Sequence, residues 1–161
     1  MNTQIRDAIP ADLDVLMEIS RRTIRAGYGS FLGERAADAF VGSGACDRYV
    51  QTTLPFARVL LVDRHLAGYA VCRGDLLDMI VVDLPRQRRG FGALLLRDGE
   101  DRILDRHKVA RAESFEKNSG ANRFLLAHGW TEAARFHEQE TGLRKILFRK
   151  YSIASPPLPI R

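Results

Sequence analysis

Between residues 81 and 96 an apolar run ending in Val81-Val82 breaks at Pro85 and turns basic through Arg86, Arg88 and Arg89. It then reopens through Gly90-Phe91-Gly92-Ala93 into Leu94-Leu95-Leu96. The spacing predicts a strand, a tight turn and the start of a helix, and such a turn can hold a phosphate. The first N–H groups of a helix have no intrahelical partner and lie at the positive end of its dipole, so an anion is held there by backbone alone. Gly90 and Gly92 carry no Cβ and let the anion come close. Among groups that could move a proton, Asp78 is the first candidate. It interrupts the apolar run from Leu76 to Val82, where a carboxylate is costly without a partner. It lies four residues before Val82, which on a regular strand puts both on one face. A base or amine anchor is one reading of Asp78; a structural salt bridge or an exposed strand end is the other. Glu113, Ser114 and His137 are weaker candidates. His65 reads as turn surface, and His128, in the last turn of a helix, suits a dipole contact.

Three glycine-rich phosphate loops have to be distinguished. The Walker loop needs Gly-Lys-Ser/Thr after its spacer, and the chain has none. The dinucleotide fingerprint needs Gly or Ala three residues after its second glycine, but position 95 is Leu. What remains, Gln87-x-x-Gly90-x-Gly92 with Val82 five residues before the glutamine, resembles the acyl-CoA-binding signature of the GNAT superfamily of N-acyltransferases. A second patch is similar to the same family: Asn118-x-x-Ala121-x-x-Phe124 closing in Gly129-Trp130.

The resemblance implies that Gln87, Arg88, Arg89, Gly90, Phe91, Gly92 and Ala93 hold the phosphates of acetyl-CoA as co-substrate, with no metal. It implies that the backbone of Ile80, Val81 and Val82 pairs with the pantetheine arm like a missing strand, and that Asn118 lies along that arm. Plain helix capping is an equal reading of Asn118. It also implies that a backbone N–H, that of Val82, polarises the thioester oxygen, a donor of a kind typically worth roughly 3–4 kcal/mol of barrier. An alkyl amine with a pKa near about 10.4 costs around 4.6 kcal/mol to bare at neutral pH, so a base is useful. The departure from the family lies at position 125. Many relatives carry there a tyrosine that protonates the leaving sulfur, and this chain has Leu125. Tyr28, Tyr49 and Tyr69 are candidate substitutes, and the sequence places none of their hydroxyls.

The elements that must position these residues follow in order. Gln4 to Ala8 is a strand, and Pro10 opens a helix with Leu13, Leu16, Met17, Ser20 and Ile24 at helical spacing. Gly27, Gly29 and Gly33 are expected to loosen the chain beyond Arg25, ahead of two short helices, Glu34 to Val41 and Asp47 to Thr52. The aromatics Tyr28, Phe31, Phe40 and Tyr49 in this stretch are either core or a surface for an acceptor. Strands are predicted at Phe56 to Val62, Leu66 to Cys72, Leu76 to Val82 and Val109 to Phe115, with Leu76 to Val82 central. A helix from Gly90 to about His107 is expected to bury Gly92, Leu95, Leu96, Gly99 and Ile103 on one stripe. Gly99 inside it costs about 1 kcal/mol against alanine, which argues for close packing on the sheet. A helix from Ala121 to His128 and two strands, Thr131 to Glu138 and Leu143 to Tyr151, complete the order. It is an α+β, mixed-sheet order, a mostly antiparallel twisted sheet of about six to seven strands flanked by about four helices, and it too resembles the GNAT fold. Residues 1–151 are expected to form one such domain, and 152–161, with Pro156, Pro157 and Pro159, a frayed tail.

Composition bounds the rest. In 161 residues, 45% are hydrophobic and 28% charged, as in an ordinary globular protein, and no stretch reads as a secretion signal or membrane span. A cytoplasmic protein is the expectation. Cys46 and Cys72 fit no metal or redox spacing and read as reduced thiols. The net charge of +5 suits an anionic partner. Coenzyme A supplies one, while a nucleic-acid reading rests on Arg86, Arg88 and Arg89 alone, with no interleaved aromatics. The resulting expectation is transfer of an acetyl group from acetyl-CoA to an amine, of a small molecule or a protein, by direct attack in a ternary complex. The alternative is a GNAT-like domain that binds acyl-CoA with little or no turnover. Neither nucleic acid nor membrane is an expected partner. The acceptor, the acyl length and the oligomeric state, a homodimer included, stay open.

Overall fold

In the computed structural model, which describes residues 1–153, seven strands form one sheet in the order β1-β2-β3-β4-β5-β7-β6. They are β1 (Thr3–Asp7), β2 (Ala57–Val62), β3 (His65–Arg73), β4 (Leu76–Val82), β5 (Val109–Phe115), β6 (Thr131–His137) and β7 (Arg144–Tyr151). Every neighbouring pair is antiparallel except β4 and β5, which run parallel. Five α-helices flank them: α1 (Leu13–Leu32), α2 (Glu34–Gly42), α3 (Ala45–Thr53), α4 (Phe91–Leu104) and α5 (Ser119–Ala127). The α+β class and the central place of β4 agree with the sequence. The expected tail lies, from residue 154 on, outside the described residues.

The sheet buries both faces. On one, Leu16 and Ile19 of α1 and Val50 of α3 pack on Val59, Tyr69, Val71 and Val81. On the other, Phe91, Leu95, Leu96 and Ile103 of α4 cover Leu60, Val62, Ala70 and Leu77, with Leu125 of α5 and Trp130 closing the far end. Gly99 is needed where α4 meets the sheet. A Cβ there would stand 3.2 Å from Cys72 Sγ and 3.3 Å from Leu77 Cδ1.

One expectation fails instructively. Gly27 and Gly29 do not end α1, which runs on to Leu32. Each glycine costs a helix about 1 kcal/mol, but the added turns bring Tyr28 and Phe31 onto Phe115 of β5, with ring centroids 5.8 and 5.9 Å away. Burial of two aromatic side chains outweighs that cost.

Candidate active site

The parallel ladder between β4 and β5 is short. Leu76 pairs with Arg111 and Leu77 with Ala112, and no further pair forms. The parting has a local cause. Opposite β3, Val71 faces Met79 and Cys72 faces Leu77, so Asp78 is an extra residue, a β-bulge in β4. A bulge bends its strand and raises the twist, and here it swings the end of β4 away from β5. Each strand stays anchored on its outer side, β4 to β3 as far as Val82 and β5 to β7 as far as Phe115. The result is a wedge, open toward the C-terminal ends of both strands.

The free edge of β4 follows from the ladder. The Asp83 N–H donates to Ala67 O at 2.8 Å, so by the alternation of an antiparallel pair Val81 also turns its N–H and C=O to β3. Ile80 and Val82 turn theirs into the wedge. Of the three residues expected to pair with an extended ligand arm, Val81 therefore has its amide spent. Its carbonyl sits so close to Gly68 that a Cβ there would overlap it.

The bulge also corrects the placing of Asp78. It joins Met79 on the face of α1 and α3, whereas Val82 packs with Phe91 and Leu95 on the opposite face. Tyr49 of α3 and Arg73 of β3 both donate to its Oδ2, each at 2.8 Å.

At the open end of the wedge stands the N-terminus of α4. Gly90 is its N-cap at φ 85, in the left-handed region, and no side chain caps the first turn. The amides of Phe91, Gly92 and Ala93 are thus left for an outside acceptor. The Phe91 side chain is buried in the core, so this residue can offer a ligand only its backbone. A Cβ on Gly92 would meet the Phe124 ring at 3.6 Å and Val82 Cγ2 at 3.9 Å, ordinary contacts. The protein's own packing does not require glycine there.

Arg86, Arg88 and Arg89 have no acidic partner among the described residues, although Arg6, Arg22, Arg58 and Arg111 each hold a carboxylate. Arg88 is itself left-handed at φ 63, a conformation few non-glycine residues adopt. Gln87 stays exposed and reaches back along the turn, its Nε2 donating to Val82 O at 2.9 Å.

The β5 side is completed by α5. Asn118 caps it, its Oδ1 accepting from the Ala121 N–H at 3.2 Å, so the capping reading holds. One turn on, a residue missed from sequence, Asn122, donates to Phe115 O and Glu116 O at 3.2 and 3.1 Å. Its Oδ1 is buried without a partner, and so is Ser114 Oγ on β5. A buried polar group left unpaired costs about 1–3 kcal/mol, and both belong to the elements that border the wedge. No periodicity marks Asn122; only the bend between β5 and α5 gives it a role.

The second half of α1 roofs the wedge. The Arg22 guanidinium donates to both Asp83 oxygens at 2.6 and 2.7 Å beyond the end of β4, and Tyr28 and Phe31 reach the end of β5. Leu125, the residue after Phe124 at which the chain departs from the resemblance, is buried among Leu96, Ile103 and Trp130.

Solved structures share this architecture. One described as a GCN5-related N-acetyltransferase, "Aminotransferase, Class-II", from Rhodopseudomonas palustris matches with a TM-score of 0.81 at 16% identity, over 94% of this chain and 97% of that one. The chain has the GNAT fold. PaiA N-acetyltransferase from Thermoplasma acidophilum, solved in complex with coenzyme A, shares this fold with a TM-score of 0.78 at 14% identity, over 94% and 100% of the two chains. YncA from Salmonella typhimurium, solved with its cofactor acetyl-CoA, matches at 0.68 and 17% identity over 99% and 100%. No protein-family model and no curated protein matches the sequence. Among the described residues no helix is long and apolar enough to cross a membrane.

Proposed function

We propose that the protein is an acetyl-CoA-dependent N-acetyltransferase that acts on an amine acceptor, a small molecule or a protein, by direct attack in a ternary complex. One observation carries the reading: β4 offers the amides of Ile80 and Val82 along an edge that ends beside the uncapped first turn of α4. An extended arm with its own amide groups can pair with such an edge, and a pyrophosphate suits the helix terminus. The residues fit coenzyme A in charge as well. Arg88 and Arg89, beside the first turn of α4 in sequence and without a carboxylate partner among the described residues, would be free to meet its phosphates, and Ser114 Oγ and Asn122 Oδ1 lack the partners that a pantetheine arm could supply. When bound, acetyl-CoA supplies an acyl group activated as a thioester. The Val82 N–H, turned to the free edge of β4 and not to β3, is the donor that would polarise its carbonyl.

A second reading, acyl-CoA binding with little or no turnover, is favoured by Asp78. Tyr49 and Arg73 share one oxygen of this carboxylate, and it lies on the face of β4 away from Val82. One experiment separates the readings. Thermal stabilisation by acetyl-CoA is expected under both, and its absence at millimolar ligand removes both. Release of free coenzyme A with a panel of amines is expected for the enzyme alone.

A further inference from the structure

The departing thiolate needs a proton, and with Leu125 buried in the core the usual donor is missing. The chain has four tyrosines, and the structure accounts for the hydroxyl proton of two. Tyr49 gives its own to Asp78. Tyr69 and Ser20 are joined by a 2.8 Å hydrogen bond, and Ser20 spends its single proton on Leu16 O at 2.7 Å, so the proton between them comes from Tyr69. Tyr151 lies opposite Val109, at the end of β5 remote from the opening of the wedge. Tyr28 is left. Its hydroxyl has no hydrogen-bond partner among the described residues. Its ring stands edge-on to Phe115 at the end of β5, with the planes at 85°, and packs on Ile24, Val41 and Cys46, while Asp78 in the bulge of β4 is near enough to act on its charge.

We propose that Tyr28 relays the proton from the attacking nitrogen to the leaving sulfur, an assignment that rests on the acetyltransferase reading. The balance is complete. The neutral amine forms the C–N bond and the C–S bond breaks. Sulfur keeps the electron pair and takes the phenolic proton, and the nitrogen returns one proton to the phenolate oxygen. The products are the amide and the free thiol, with Tyr28 as it began. Once the amine has lost its ammonium proton to solvent, the transfer itself needs no separate base, which agrees with an Asp78 already engaged by Tyr49 and Arg73. The groups around Tyr28 favour a protonated phenol. Burial raises its pKa first, and Cys46 of α3, Asp78 of β4 and Glu138 beyond β6 add to the effect. Lys145 of β7, which lies over the Phe115 ring that Tyr28 also meets, is held by Glu138.

The test compares wild type, Tyr28→Phe and a variant with fluorinated tyrosine at position 28. Phenylalanine keeps the contacts with Phe31 and Phe115 and removes a hydroxyl that has no partner among the described residues, so the thermal midpoint and acetyl-CoA affinity should stay close to wild type. The turnover number should fall by about a hundredfold or more, the usual scale of positioned proton transfer. With fluorotyrosine, whose phenol is more acidic, the alkaline loss of kcat should move to lower pH, which a packing role would not produce. A Tyr28→Phe rate within threefold of wild type, or a fluorotyrosine profile that superimposes on wild type, overturns the relay. A wild type that binds acetyl-CoA but releases no coenzyme A with any amine overturns the acetyltransferase reading, and the relay falls with it.

Discussion

Arg22 holds Asp83 through two parallel hydrogen bonds of 2.6 and 2.7 Å, pinning the middle of α1 to the chain just beyond β4. The Asp83 side chain is 11% exposed and that of Arg22 41%, so the cost of losing the arginine falls mainly on a nearly buried carboxylate. Arg22→Ala should lower stability by about 1–3 kcal/mol in urea unfolding. Arg22→Lys should recover little of it, because an ammonium cannot make the two-pronged contact. Both variants should also weaken acetyl-CoA binding in titration calorimetry, because the roof of the wedge loosens. An unchanged affinity would mean that α1 takes no part in shaping the wedge.

Asp78 should matter more to the fold than to the reaction. Asp78→Asn removes the charge that Arg73 faces but keeps an oxygen for Tyr49. The expected result is a loss of about 1 kcal/mol of stability, with kcat and acetyl-CoA affinity each within about threefold, a difference of under about 1 kcal/mol. A selective collapse of kcat would restore Asp78 as the base.

The two glycines of the turn should fail in different ways. Gly90→Ala forces a side chain into the left-handed region and should cost roughly 1–2 kcal/mol in the free protein. Gly92→Ala should leave the free protein nearly as stable, since its Cβ meets only ordinary contacts, yet weaken coenzyme A by crowding the first-turn amides. Gly68→Ala is the structural extreme. Its Cβ would press on Val81 O, and the protein should express poorly or unfold.

Arg88→Glu with Arg89→Glu should weaken coenzyme A by tenfold or more, each tenfold being about 1.4 kcal/mol. The wild-type affinity should fall with added salt more steeply than that of the double variant. Equal salt dependence in calorimetry would show that neither arginine meets a phosphate.

Acid should act through Asp12. The Arg6 guanidinium, with two hydrogen bonds of 2.8 and 3.0 Å, holds this carboxyl below its usual pKa, and the Ile9 N–H helps. A depressed folded-state pKa gives stability that is present above the unfolded value of about 3.9 and is lost as pH falls through the folded one. Asp12→Asn should therefore melt earlier at neutral pH and lose less on further acidification. Parallel melting curves down to about pH 3 would remove Asp12 from the acid response.

Much of this was readable in the chain because it is local. The turn at Gly90, the cap at Asn118 and the apolar stripe of α4 are each encoded within a few neighbouring residues. The sequence by itself determined the strand-turn-helix around Gln87 to Ala93, the order of the elements and the class of fold. It did not reveal which face Asp78 takes, since that depends on a bulge visible only against β3. Nor did it show that α1 crosses two glycines, because the aromatic contacts that hold Tyr28 and Phe31 come from Phe115, more than eighty positions along the chain. Tertiary structure alone decided that β4 and β5 part after Leu77, that the N–H groups of Ile80 and Val82 turn to the free edge of β4, and that the Tyr28 hydroxyl has no partner among the described residues. Each is a matter of which partner is absent, and a missing partner can be identified only once every other strand and side chain has found its place.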